Sequence, residues 1–227
     1  VEQMSPKADG ALTQALADIV SADDNKASSA CHALARFPRN PKAFEALCRT
    51  ALQPRAMDLR CNAIHSLQMF RDFNPAKLCE QILKQNDERL IYTVLNLMRS
   101  VQYSGFENTL LMGARHASPN IRRQAVELLG EARVTDAEKD LVKLAEYDGD
   151  IGVKDAALHA LCVMRSAEGL SLCQSLLRTG DRNNKYRAWR CLQTWEDDPA
   201  ALDLMRKYKS DGDLGQQINA HLNRYGN

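Results

Sequence analysis

The chain has 227 residues, 44% hydrophobic and 26% charged, with 30 Lys+Arg against 29 Asp+Glu for a net charge of +1. That balance excludes a disordered chain, a collagen-like one and a low-complexity tail, and the length suffices for one large domain or two small ones. Dividing after His116 leaves 14 basic against 12 acidic residues before it and 16 against 17 after it, so neither half attracts nucleic acid or anionic lipid on charge alone.

No run approaches the ~18 apolar residues of a membrane span. The opening VEQMSPKADG lacks the basic and apolar regions of a signal peptide, and a start at Val1 rather than Met is what a chain trimmed, processed or cut from something longer, with or without loss of a targeting segment, would show. The seven cysteines are odd in number and form no CxxC. They read as small hydrophobes, reduced thiols of a cytoplasmic protein.

In chain order, a short extension over 1–9 gives way to one domain over 10–227. Its units fall near 10–37, 40–70, 74–102, 105–133, 135–165, 167–196 and 198–226, each a helix A, a turn and a helix B. The A helices carry Leu12, Leu16 and Ile19; Phe44, Leu47 and Cys48; Leu78, Ile82 and Leu83; Leu110, Leu111 and Ala114; Leu141, Leu144 and Ala145; Leu170, Cys173 and Leu177; and Leu202 and Met205. The turns carry helix starters and breakers, such as Asp23-Asp24-Asn25, Ser118-Pro119-Asn120, Asp148-Gly149-Asp150 and Asp211-Gly212-Asp213. No stretch alternates with period two, so no sheet is predicted.

The B helices carry the repeat. Ala30, Ala63, Val94, Ala125, Ala157, Ala188 and Ile218 each stand four residues before a Leu or Met, at spacings of 33, 31, 31, 32, 31 and 30. Offsets 0, 1, 3, 4 and 7 from each anchor give 35 positions, of which only Ser66, Asn219 and His221 are not apolar. Those offsets trace one face of an α-helix. Two of the exceptions fall in the last unit, where a stacked array needs a polar end.

The segment Ser118-Pro-Asn-Ile-Arg-Arg-Gln-Ala-Val-Glu-Leu-Leu-Gly-Glu-Ala resembles the second helix of a short HEAT-like repeat of the phycobilisome-lyase type, within the armadillo-like superfamily. Asp148-Gly-Asp-Ile-Gly-Val-Lys-Asp-Ala-Ala-Leu-His-Ala-Leu fits the same pattern, and the resemblance covers about residues 10–226. It implies an all-α, right-handed α-solenoid of about seven helix pairs. It also implies a protein-binding scaffold or adaptor, more in keeping with a non-catalytic chain than with an enzyme. Phycobilin lyases of this repeat class deliver linear tetrapyrroles to a cysteine on another protein, so a bilin lyase or chaperone subunit is the main alternative. A HEAT-like DNA glycosylase ranks below it.

Offsets −2 and +2 point away from the core, four residues apart on one helix face. They place His32, His65, Tyr92, Asn96, Arg123, Glu127, Asp155, His159, Tyr186 and Arg190 on the concave B-helix side, the expected surface for a protein or peptide partner. Arg123 and Glu127 also suit an intrahelical ion pair. Cys61 is the one cysteine expected on this open face, with His65 a turn away as a base that would favour its thiolate. No HE dipeptide occurs, which argues against HExxH zincs and di-iron sites, and neither a metal nor any other cofactor is expected. Trp189 and Trp195 fall at core offsets. Lys185, Arg187 and Arg190 make only a local basic patch, so nucleic acid is not the expected partner. No Gly-rich phosphate loop or GxSxG elbow is present.

Overall fold

A computed structural model describes residues 6–101, 105–195 and 197–225. Residues 1–5 of the expected extension, and residues 102, 196 and 226 at the ends of three expected units, lie outside the described residues. Fourteen α-helices occur among the described residues, with no strand. In order they are α1 Pro6–Asp18, α2 Asp24–Leu34, α3 Pro41–Leu52, α4 Met57–Ser66, α5 Ala76–Lys84, α6 Glu88–Val101, α7 Glu107–Ala114, α8 Pro119–Glu131, α9 Glu138–Tyr147, α10 Ile151–Val163, α11 Ala167–Thr179, α12 Arg182–Leu192, α13 Pro199–Lys207 and α14 Gly215–Tyr225.

Helix starts follow the predicted turn chemistry. Asp23, Asn40, Asp150, Asp181 and Asp198 cap their helices by accepting backbone N–H bonds from the first turn. Pro41, Pro119 and Pro199 occupy the first turn, where the missing N–H costs nothing.

The chain forms two compact units, Val1–Met112 and Gly113–Asn227, with α7 running across the boundary. In the first unit α1 packs on α2, α3 on α4 and α5 on α6, and the B helices α2, α4 and α6 stack in order. In the second, α10 packs between α8 and α12, with α9 and α11 against them and α13 on α14. All seven anchors are buried, as are Leu34, Leu67, Met98, Leu129, Leu161 and Leu192 four residues on. Trp189 and Trp195 are buried as their offsets predict, and the Trp195 indole donates to the Cys162 carbonyl at 2.6 Å.

Offset 7 is less faithful to the pattern. Phe70, Val101 and Trp195 are buried, but Phe37 and Met164 are half-buried and Ala132 is exposed. Tyr225, at the same offset in α14, is exposed as well.

Gly130 marks the closest approach of two B helices. A Cβ built on it would stand 2.7 Å from both Cα and Cβ of Ala160, inside van der Waals contact. A second tie is polar. Arg122 of α8 holds Asp148, in the turn before α10, by two hydrogen bonds of 2.8 Å. Burial pushes the Asp148 carboxyl up. The Arg122 guanidinium and the Asp150 backbone N–H outweigh it and hold the group below its ordinary value.

Three outcomes follow from this packing. Gly→Ala in a helix ordinarily stabilises by ~0.5–1 kcal/mol. Gly130→Ala should instead lower the urea midpoint, by ~1–3 kcal/mol of overpacking. Leu129→Ala or Leu161→Ala should cost ~2–5 kcal/mol as core truncations. Asp148→Asn should cost ~1–3 kcal/mol at neutral pH. Because the folded pKa is depressed, that contribution is complete above the unfolded carboxylate value and is lost as pH falls through the folded one. Urea midpoints of wild type and Asp148→Asn should therefore converge below about pH 4.

Candidate functional site

The groove lies in the second unit, across the successive B helices α8, α10 and α12. Arg123 and Glu127 come from α8, Asp155 and His159 from the middle helix α10, and Arg190 from α12. These five side chains line one hollow of about 460 Å³. Gly130, Gly152 and Ala160 also line it, and their small size keeps it open. The volume lies in the range of small-molecule sites, ~300–1,000 Å³.

The charges are unevenly committed. Asp155 accepts a hydrogen bond from Arg187 Nε. Among the described residues, no carboxylate pairs with Arg123 or Arg190, so the expected Arg123–Glu127 ion pair does not form. The groove thus offers two guanidinium groups on its outer helices and a carboxylate and an imidazole on the middle one, with the Glu127 and Glu131 carboxylates of α8 also in its lining. Such a mixed row suits a ligand that carries both acidic groups and N–H donors.

The rest of the predicted face distributes differently. Tyr186 is half-buried on α12, where its hydroxyl accepts from Gln217 Nε2 of α14 at 3.1 Å and Arg182 lies 5.9 Å from its ring centre. It does not line the groove. In the first unit His32, His65 and Tyr92 are exposed on α2, α4 and α6, Tyr92 by 54%, and Asn96 is half-buried on α6. His32, His65 and Asn96 stand at offset +2 and Tyr92 at offset −2.

Cys61 corrects the reading of its repeat position. It is only 5% exposed, and Thr93 Oγ1 of the next B helix donates to its sulfur at 3.6 Å. A short side chain at offset −2 does not reach past the neighbouring helix, whereas the long side chains of Tyr92 and Arg123 at the same offset do. Cys61 is closed to a substrate, and His65 stands in solvent without an open thiol to serve. The basic patch is also local: Lys185 pairs with Asp211 at 2.7 Å and with Asp213 at 3.5 Å, and Arg187 with Asp155.

The cysteines are not all reduced thiols. Cys162 of α10 and Cys191 of α12 form a disulfide spanning 29 residues of sequence. Offsets +5 and +3 in adjacent units bring them together, a pairing the helical pattern gives no reason to single out. Burial pushes the free thiols upward, Cys31 to about 11 and Cys48 and Cys173 to about 12, with Cys79 raised as well. None of these four is poised as a nucleophile.

No family model and no curated protein sequence matches the chain. Among solved structures, it is similar to a chain of the complex of CpcE and CpcF of phycocyanin lyase from Nostoc sp. PCC7120, at TM-score 0.51 and 16% identity, over 99% of this chain and 96% of that one. An engineered protein reaches TM-score 0.41 at 16% identity over 94% of each chain, a likeness too slight to specify a fold. The first likeness, with the fourteen helices, shows the fold: an α-solenoid of HEAT-like helical repeats.

Proposed function

We propose that the protein is a non-catalytic binding subunit that works with a protein partner, and that the groove of α8, α10 and α12 holds a linear tetrapyrrole in the manner of a bilin lyase or chaperone subunit. The observation that carries this reading is the pair of uncommitted cations, Arg123 and Arg190, on either side of Asp155 and His159 in one open groove. A linear tetrapyrrole has two propionates and a row of pyrrole N–H donors. The two guanidinium groups suit the propionates, and the imidazole and carboxylate suit the N–H row. The fold likeness supports the same reading, since the neighbouring structure is a two-protein lyase complex. A subunit that passes a pigment to a cysteine on another protein needs no reactive thiol of its own, which agrees with a buried Cys61.

A second reading keeps the partner and drops the pigment. The exposed row of His32, His65 and Tyr92 on the first unit favours it: a surface of this type binds a peptide as an adaptor.

Absorbance titration of the protein with biliverdin separates the two. Wild type should shift the pigment spectrum, and Arg123→Ala/Arg190→Ala should weaken binding at least ~10-fold, since each charge-assisted contact contributes ~1.5–3 kcal/mol. No spectral shift, together with a lysate protein retained by wild type and lost in Tyr92→Ala, would favour the adaptor.

A further inference from the structure

Three sulfurs converge beside the groove. Cys162 of α10, Cys173 of α11 and Cys191 of α12 hold their Sγ atoms within 4.8 Å of one another, and none is more than 2% exposed. Among the described residues this is the one group of His, Cys, Asp and Glu side chains close enough to share an ion. We propose that, once the Cys162–Cys191 disulfide is reduced, the three thiolates bind one thiophilic divalent cation of the zinc class. This site goes beyond the proposed function and does not depend on it.

Geometry favours ligation over disulfide exchange. Cys162 and Cys173 Sγ are 3.9 Å apart. Zn–S bonds of ~2.3 Å set the sulfurs of a tetrahedral site about 3.8 Å apart. Exchange would require the Cys173 thiolate to approach in line with the bond it breaks, with the outer sulfurs about 6 Å apart. Cys173 and Cys191 Sγ are closer than that, within 4.8 Å. The three sulfurs are not in line, and Cys162 and Cys191, bonded as they stand, draw apart to ligand spacing only on reduction.

The surroundings suit the reduced state. The Leu158 carbonyl oxygen lies 3.1 Å from Cys191 Sγ, an acceptor that a thiol can use and a disulfide sulfur cannot. Arg187 Nη2 is buried with no hydrogen-bond partner among the described residues. Three thiolates with a divalent cation carry a net charge of −1, which this guanidinium offsets. Arg187 and Cys191 also line a cavity of about 30 Å³ with His159. That is room for about one water. A three-ligand zinc site keeps an open fourth position that a water can fill.

The chemistry balances as follows. A dithiol reductant gives two electrons and two protons to the Cys162–Cys191 bond and leaves as its own disulfide. The cation then displaces one proton from each of the three thiols.

The test uses the full chain, reduced anaerobically with dithiothreitol, desalted and titrated with Co2+, then with Zn2+. Reduced wild type should take up one Co2+ with the visible and thiolate charge-transfer bands of a tetrahedral sulfur site, and Zn2+ should displace it. The oxidised protein should show no such bands. Cys173→Ser keeps the disulfide pair and should weaken Zn2+ binding at least tenfold, while Cys48→Ser should bind as wild type does. Circular dichroism confirms that each variant is folded, and Cys173→Ala replaces Cys173→Ser if the latter is not. No uptake by the reduced wild type overturns the proposal. So does binding that survives the loss of Cys173, or that falls with Cys48→Ser.

Discussion

Within each unit, the close approach of successive B helices depends on small residues where they touch. The repeat anchor is Ala at Ala30, Ala63, Ala125, Ala157 and Ala188, and each is buried. Small side chains there let two backbones draw close enough for the flanking leucines to interdigitate, at the packing density of an organic crystal. At α8 and α10 the approach is tightest, where Gly130 meets Ala160. Because each repeat touches only its neighbours, a change at one anchor is felt locally first.

The polar contacts follow the same register. Arg55 pairs with Asp24 and Arg89 with Asp58, each 31 residues apart, and Arg187 pairs with Asp155 and Arg165 with Asp197, each 32 apart. Each step is about one repeat long, though the pairs start from different offsets. The exposed pairs contribute ~0–1 kcal/mol each. Their effect on the groove is selective: Arg187 engages Asp155 from the side, while Arg123 and Arg190 stay uncommitted on the outer helices.

Sulfur chemistry and the groove share helices. Asp155 and His159 precede Cys162 on α10, and Arg190 precedes Cys191 on α12. His159 lies one turn before Cys162, on the same helix that supplies the groove's middle row. A bond between Cys162 and Cys191 therefore ties together the two helices that hold His159 and Arg190.

The repeat was legible in the amino-acid sequence. Helical periodicity, the Ala-to-Leu spacing and the Asp, Asn and Pro turn signals follow from local chain geometry, so they need no knowledge of what packs against what. The core was legible too, down to Trp189 and Trp195. The clustering was readable for the same reason: Arg123, Glu127, Asp155, His159 and Arg190, at repeat offsets −2 and +2, line one hollow. Tertiary packing alone decided which of the predicted positions are open. Cys61 closes because its short side chain lies under Thr93, and Tyr186 because Gln217 reaches it from α14. The Cys162–Cys173–Cys191 cluster lies wholly beyond local pattern. It joins three helices at unequal offsets, and only the distance between helix axes brings those sulfurs together.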